Sequence, residues 1–344
     1  MLTTHVRRHK FSRVELSVLP PRPLWRSCRG FAMESSSDYV WGIHPCAAVL
    51  ASESRSVLRV IQDSSGAPGH SAAPIFALAA ARGLPMQRVD RNTFARMFGD
   101  ANAQGVGMIV ERANPLAIDD PVAFTAAASK HRLAGSPPVV IALDELTDPQ
   151  NVGAILRTAQ LMGVSAVLVC ERNSAPLNGT VSKTSSGALE WVLSSERLLV
   201  TRHLASLLGS ISEEGGAVGA WRVVGCSVGV PQGQGQQKHP EHISFGALSR
   251  SAPTVLVLGN EGRGLRRSVL QSCTHTVSAP MYPHVGPGDF ASASSDVSQR
   301  RQKLGVRAAT PEMIEAVLRL GAIDSYNVSV AAGVLLAKLQ LQHD

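Results

Sequence analysis

The chain has 344 residues, 44% hydrophobic and 17% charged, which gives room for two ordinary domains and excludes a disordered or fibrous polypeptide. Its formal net charge of +7 is concentrated in residues 1–33, where Arg7, Arg8, Lys10, Arg13, Arg22, Arg26 and Arg29 stand against Glu15, and the rest is close to neutral. A basic field over the whole molecule is therefore excluded, and any nucleic-acid surface must be a local patch.

Residues 1–35 have the Arg-rich, acid-poor composition of an organelle transit peptide and lack the apolar core of a secretory signal. Pro20, Pro21 and Pro23 break any helix that starts there. Import into the mitochondrial matrix is expected; a basic arm that touches RNA is the alternative. The five cysteines, Cys28, Cys46, Cys170, Cys226 and Cys273, are odd in number and never spaced as CxxC, so neither a zinc site nor a disulfide framework is expected. No apolar run approaches the roughly 18 residues of a membrane span, and no membrane partner is expected.

From residue 39 the pattern is that of a small α/β unit. "YVWGIHPCAAVLAS" reads as an aromatic turn and a helix, "SVLRVIQ" as a strand, "APIFALAAARG" as a helix closed by Gly83, and "QGVGMIVE" as a strand. This unit covers 39–111. Residues 112–137 read as a linker ending in "AGSPP".

Residues 138–344 alternate regularly. "VVIALDEL", "VSAVLVC", "WRVVGCSV" and "TVLVLG" are strand-like. "DPQNVGAILRTAQLMG" has Pro149 in its first turn, Val152, Ile155, Leu156 and Ala159 at helical spacing, and Gly163 as a stop. "VSKTSSGALEWV" reads as one helix, "ASLLGSI" as part of another, and "SYNVSVAAGVLLAKLQLQ" as a C-terminal helix. Such alternation predicts an α/β fold with a mostly parallel sheet and helices on both faces, whose ligands bind beyond the carboxyl ends of the strands. "VPQGQGQQKHPEH" reads as a surface loop, and 282–324 as an insertion with an amphipathic helix over Pro311 to Leu320. Its Arg300, Arg301, Lys303 and Arg307 are either an RNA contact or a solvated charge run.

Three short stretches carry candidate chemistry. "LVLGNEGRGL" places Gly259, Glu261 and two more glycines directly after a buried strand, but matches neither a phosphate-cradling loop nor GxGxxG spacing. Asn151 lies in the first turn of its helix, where an amide often caps. Arg157, six residues on, points roughly 120° away at about 100° per residue, so it is either a surface group or part of a site completed by another subunit. Asn327 and Ser329 open the last helix, where Asn327 has the N-cap alternative.

Taken in order, "NVGAILRTA", "LVLGNEGRGL" and "NVSVAAGVLLA" resemble the three motifs of the SpoU/TrmH family, SPOUT-class RNA ribose 2′-O-methyltransferases. The resemblance covers 139–344, with weaker support for an L30e-like substrate-binding domain in 39–111. Within that family, "NSAPLNGTVSKTSSGALE" and "GNEGRGL" are most similar to members that methylate a guanosine of mitochondrial large-subunit rRNA. The resemblance implies a deep C-terminal trefoil knot, an obligate homodimer, and S-adenosylmethionine as cofactor with no metal. Gly259, Ala279, Met281 and Tyr326 fall at its cofactor positions. Asn151, Arg157, Glu261, Asn327 and Ser329 fall at its functional polar positions, with Glu261 expected as a buried, paired acid holding Asn151 or the loop. Ala279 and Tyr326 replace the usual Ile and Leu, which implies a reshaped adenine pocket. Ala103 stands where many relatives carry His, and 282–324 lengthens the segment between the second and third motifs. The competing expectations are a non-catalytic RNA-binding assembly factor and a tRNA methyltransferase.

Overall fold

The structure, a computed structural model, describes residues 36–65, 72–99, 103–213, 220–227, 240–280 and 326–341. Residues 1–35, Met281 and the insertion 282–324, with its expected helix, lie outside them.

A four-stranded sheet comes first, in the order β1-β4-β2-β3, from β1 (Ser37–Trp41), β2 (Val57–Asp63), β3 (Met86–Val89) and β4 (Val106–Glu111). Its helices are α1 (Ile43–Ser52), α2 (Ala73–Ala81) and α3 (Arg91–Phe98). The "aromatic turn" is in fact strand β1, antiparallel to β4 with Tyr39 opposite Ile109. Two-residue periodicity explains it: Tyr39 and Trp41 share one face and both rings meet Phe98 of α3. On the other face Val40 joins Cys46, Val49, Leu50, Val60, Phe76 and Met108 in a closed core.

The second sheet has eight strands in the order β10-β12-β9-β11-β6-β7-β8-β5, and every pairing in it is parallel. Its centre is β6 (Val139–Leu143), β7 (Ala166–Cys170) and β11 (Thr254–Leu258), every residue of which is buried. Outward lie β8 (Leu198–Thr201), β9 (Arg222–Cys226) and β12 (His275–Val277), and the rims are β5 (Leu116–Ala117) and β10 (Glu241–Ile243). Strands buried on both faces read as unbroken apolar runs, because alternate residues enter opposite layers. Val139, Ile141 and Leu143 of β6 enter one core, and Val140 and Ala142 the other. The first core is covered by α5 (Pro149–Leu161), α6 (Gly179–Thr184), α7 (Ala188–Ser194) and the last helix, which we call α10 (Val328–Leu341). The second is covered by α4 (Pro121–Lys130), α8 (Leu204–Ser212) and α9 (Arg267–Gln271).

Two further expectations are corrected. The stretch read as linker, 112–137, contributes β5 and α4 to the large sheet: Phe124 is fully buried, its ring centroid 5.2 Å from that of Trp221. The helix read through "VSKTSSGALEWV" is two helices, because Ser186 (φ 54°) and Gly187 (φ 87°) take left-handed backbone and turn the chain between α6 and α7.

That turn meets the small sheet. A Cβ on Gly179 would strike the Tyr39 carbonyl, and one on Gly187 would lie 2.6 Å from Ala48 Cβ and 3.0 Å from the His44 carbonyl oxygen. Beside it an ionic cluster is sealed from water, with Arg55 and Glu190 side chains 1% and 0% exposed. Glu190 Oε2 accepts from Ser54 Oγ (2.7 Å) and Arg55 Nε (2.9 Å), Oε1 accepts from Ser182 Oγ (2.7 Å) and Arg55 Nη2, and Arg55 Nη1 donates to Asp38 Oδ2 (2.8 Å). Burial opposes the Arg55 charge, but Glu190 and Asp38 outweigh it and hold the guanidinium pKa above its ordinary value. Among the described residues no helix is long and apolar enough to cross a membrane, and no group of three His, Cys, Asp or Glu could hold a metal.

Candidate active site

The site lies beyond the carboxyl ends of β6 and β11, where a parallel sheet of this kind leaves a crevice. The loop after β11 closes on itself. Asn260 N donates to Gly264 O (3.1 Å), Gly264 N donates to Asn260 O (2.8 Å), and Asn260 Oδ1 accepts from Gly262 N (3.0 Å) and Arg263 N (3.2 Å). Gly264 has φ +66°, the left-handed backbone that glycine adopts at least cost. Buried Gly259 is glycine for a different reason: a Cβ there would overlap the backbone of Gly264 and Leu265, so it serves closure of its own loop. Gly259→Ala should therefore open the turn, lower stability by about 1–3 kcal/mol as an overpacked site, and weaken S-adenosylmethionine binding in titration calorimetry.

Helix α5 is capped by Asp148, whose Oδ1 accepts from Gln150 N at 2.9 Å, and not by Asn151. Asn151 is thus left to reach sideways. Its side chain is buried between two elements: Nδ2 donates to Glu261 Oε1 at 2.8 Å, and Oδ1 accepts from Asn327 Nδ2 at 2.9 Å. Asn327 Oδ1 in turn accepts from Ser329 N (2.9 Å) and Ser329 Oγ (2.6 Å), so Asn327 both caps α10 and joins the chain of amides. Asn151, Glu261, Asn327 and Ser329 are therefore brought together from three distant parts of the sequence. Glu261 is exposed and not buried, because the loop carries it out to solvent; its pairing with Asn151 is as expected. Tyr326, 42% exposed, donates its hydroxyl at 3.0 Å to the carbonyl oxygen of Pro280, the residue after half-buried Ala279. Met281 follows outside the described residues.

Arg157 is not part of this cluster. It is exposed, and its Nη1 donates to Ser186 Oγ at 3.1 Å on the α6–α7 turn. The divergence from Asn151 follows from their spacing along one helix.

The sequence reading passed over a third element of the site. Asp144 and Glu145 end β6, and Asp144 is fully buried. Asp144 accepts from Arg266 N (2.9 Å) and Arg266 Nε (2.7 Å), and Glu145 Oε1 lies 3.2 Å from Arg266 Nη1 and accepts from Asn173 Nδ2 at 3.0 Å. Glu145 O also accepts from Asn260 Nδ2 at 2.9 Å, so these groups clamp the glycine loop to the end of the neighbouring strand. Burial works against the Arg266 charge, but Asp144 and then Glu145 outweigh it and raise the guanidinium pKa. The signal was present in "LDEL", two acids at the end of a wholly apolar strand, opposite the basic "RGLRR".

These residues fit the expected S-adenosylmethionine. The backbone at Gly264 faces open space, Ala279 is small, the Tyr326 ring offers a half-exposed aromatic surface, and the exposed Glu261 carboxylate suits a positively charged sulfonium.

Comparison with known proteins identifies the family. The profile of the SpoU rRNA Methylase family matches residues 138–287, and that of RNA 2′-O ribose methyltransferase substrate binding matches 39–116. The chain is 31% identical over 307 residues to the human "rRNA methyltransferase 1, mitochondrial", covering 88% of this chain and 72% of that protein. It is 29% identical over 262 residues to the "23S rRNA (guanosine-2′-O-)-methyltransferase RlmB" of Vibrio parahaemolyticus, covering 75% of this chain and 94% of that one. The fold is shared with the crystal structure of the SpoU methyltransferase AviRb from Streptomyces viridochromogenes in complex with AdoMet, at a TM-score of 0.57 and 17% identity over 90% of this chain and 91% of that one. An AdoMet-bound rRNA methyltransferase from Sinorhizobium meliloti gives a TM-score of 0.56 at 16% identity over 89% of this chain and 87% of that one. By fold, by site and by similarity along most of its length, the chain belongs to the SpoU family of RNA ribose 2′-O-methyltransferases.

Proposed function

We propose that the protein methylates the ribose 2′-hydroxyl of a guanosine in mitochondrial large-subunit rRNA, using S-adenosylmethionine, in the matrix. The observation that carries this reading is the chain Ser329–Asn327–Asn151–Glu261, which joins the first, second and third motifs in one constellation. Its similarity to proteins named for mitochondrial and 23S rRNA methylation supports the substrate. The cofactor, when bound, supplies an electrophilic methyl group. Gly259, Ala279 and Tyr326 would hold it, Met281 would belong with them, and Asn151 and Glu261 keep the loop that carries Gly259 in place.

Arg157 is assigned to the RNA. A guanidinium holds its protons too tightly to serve as a base. It binds the target phosphate and 2′-oxygen together in its fork and stabilises negative charge growing on that oxygen as the hydroxyl proton passes to water. Holding donor and hydroxyl in line is worth on the order of 7 kcal/mol or more of barrier for the site as a whole, and Arg157 supplies a part of it. Because Arg157 and Asn151 leave α5 on different faces, the proposal places Arg157 of one protomer at the pocket of its partner in a homodimer. Leu161, 77% exposed on α5, and Val330, 49% exposed on α10, are apolar groups that such a dimer would cover. We further propose the trefoil knot over the C-terminal segment, a substrate-binding domain at 39–111, a methyltransferase domain at 138–344, and a transit peptide at 1–35.

The test is to map ribose methylation on organellar rRNA after depleting the protein. One large-subunit guanosine should lose its methyl group; a complete methylation map, or a loss confined to tRNA, would overturn the substrate assignment.

A further inference from the structure

The α6–α7 turn holds features that the binding of cofactor does not use. Ser186 lies at φ 54°, in the left-handed region where a side chain is costly, although glycine follows it directly. A strained backbone persists where its surroundings hold it. Here the Ser186 hydroxyl accepts the hydrogen bond of Arg157 Nη1 at 3.1 Å, the one partner the arginine has among the described residues. The turn itself is anchored from the other side. Gly187 lies within 3.0 Å of the His44 carbonyl oxygen, measured from an ideal Cβ, and against Ala48, both on α1 of the small sheet. One helical turn further along α7, Glu190 is clamped by Arg55 and Ser54. A continuous path therefore runs from the small sheet through Gly187 and Ser186 to Arg157.

We infer that Ser186 is a positioning residue for Arg157, and that the seating of α1 on the α6–α7 turn sets where that guanidinium points. An exposed arginine samples many rotamers, and a hydroxyl fixed on a rigid turn selects the subset that presents its remaining N–H groups outward. The small sheet thereby affects turnover as well as binding of RNA. This rests on the assignment of Arg157 to the substrate.

The test separates positioning from stability, because at this backbone geometry the two move in opposite directions. Ser186→Gly removes the hydroxyl and also removes the left-handed cost, so the variant should melt above the parent. Its turnover on rRNA should fall on the order of tenfold, with S-adenosylmethionine affinity unchanged. Ser186→Thr restores the hydroxyl on a bulkier residue and should melt lower while recovering most of the turnover. In Arg157→Ala the Ser186→Gly change should have no further effect on turnover, while still raising the melting temperature. A Ser186→Gly enzyme with parental turnover, or one whose turnover and melting temperature fall together, would overturn the role of Ser186. An active Arg157→Ala enzyme would instead remove the reading on which it rests.

Discussion

Arg157→Ala should reduce methyl transfer by on the order of 10²- to 10³-fold, the loss expected when one preorganised group that meets developing charge is removed. The side chain is exposed and its hydrogen bond to Ser186 is its contact to the rest of the described structure, so little of the fold depends on it. Thermal stability and S-adenosylmethionine affinity should therefore stay near those of the parent while single-turnover rates collapse. Arg157→Lys should recover little, because an ammonium keeps the charge and lacks the planar fork. The decisive measurement is single-turnover methylation of an rRNA fragment at saturating cofactor. A parental rate in the alanine variant would take Arg157 out of the chemistry.

Arg55→Ala should lower stability by about 3–5 kcal/mol, since it leaves the Glu190 carboxylate buried without its counter-charge. Neither partner has access to solvent, and Ser54 and Ser182 cannot supply the missing charge. Replacing the pair together, Arg55→Met with Glu190→Met, should recover part of that loss, because an apolar pair removes the desolvation cost along with the attraction, while Asp38 and Ser182 lose their partners. Denaturant titration of the two variants distinguishes a stabilising ion pair from one whose merit is specificity. Equal stability of Arg55→Ala and the parent would mean that the cluster is open to water in solution.

How much of this was legible depended on the range over which each signal acts. The central strands were read correctly because burial on both faces leaves an unbroken apolar run, as in "VVIAL" and "TVLVL". Helix α5 was read from its Pro149 start and its apolar stripe, down to the divergence of Asn151 and Arg157. β3 and α3 were passed over although Asp90 caps α3 through Thr93 N, a signal visible in "DRNT". β5 and α4 were lost because two residues of strand and a short alanine-rich helix have little periodicity of their own; pairing with β8 places the strand and packing on Trp221 places the helix. The split between α6 and α7 was hidden for the same reason: its cause is the small sheet, some 140 positions earlier in the chain, pressing on Gly179 and Gly187. Within the site, Asn151, Glu261, Asn327 and Ser329 meet in one chain of hydrogen bonds, whereas Arg157 bonds Ser186 on the α6–α7 turn. The Asp144–Arg266–Glu145 clamp was missed because each partner alone looks like an ordinary strand-end charge.

The rims of the large sheet bear on how two copies can associate. Strand β5 has two residues and β10 three, so neither side offers enough unpaired backbone to extend the hydrogen-bonded ladder into a neighbouring molecule. Among the described residues, polymerisation by strand addition to the large sheet is thereby discouraged at both of its edges.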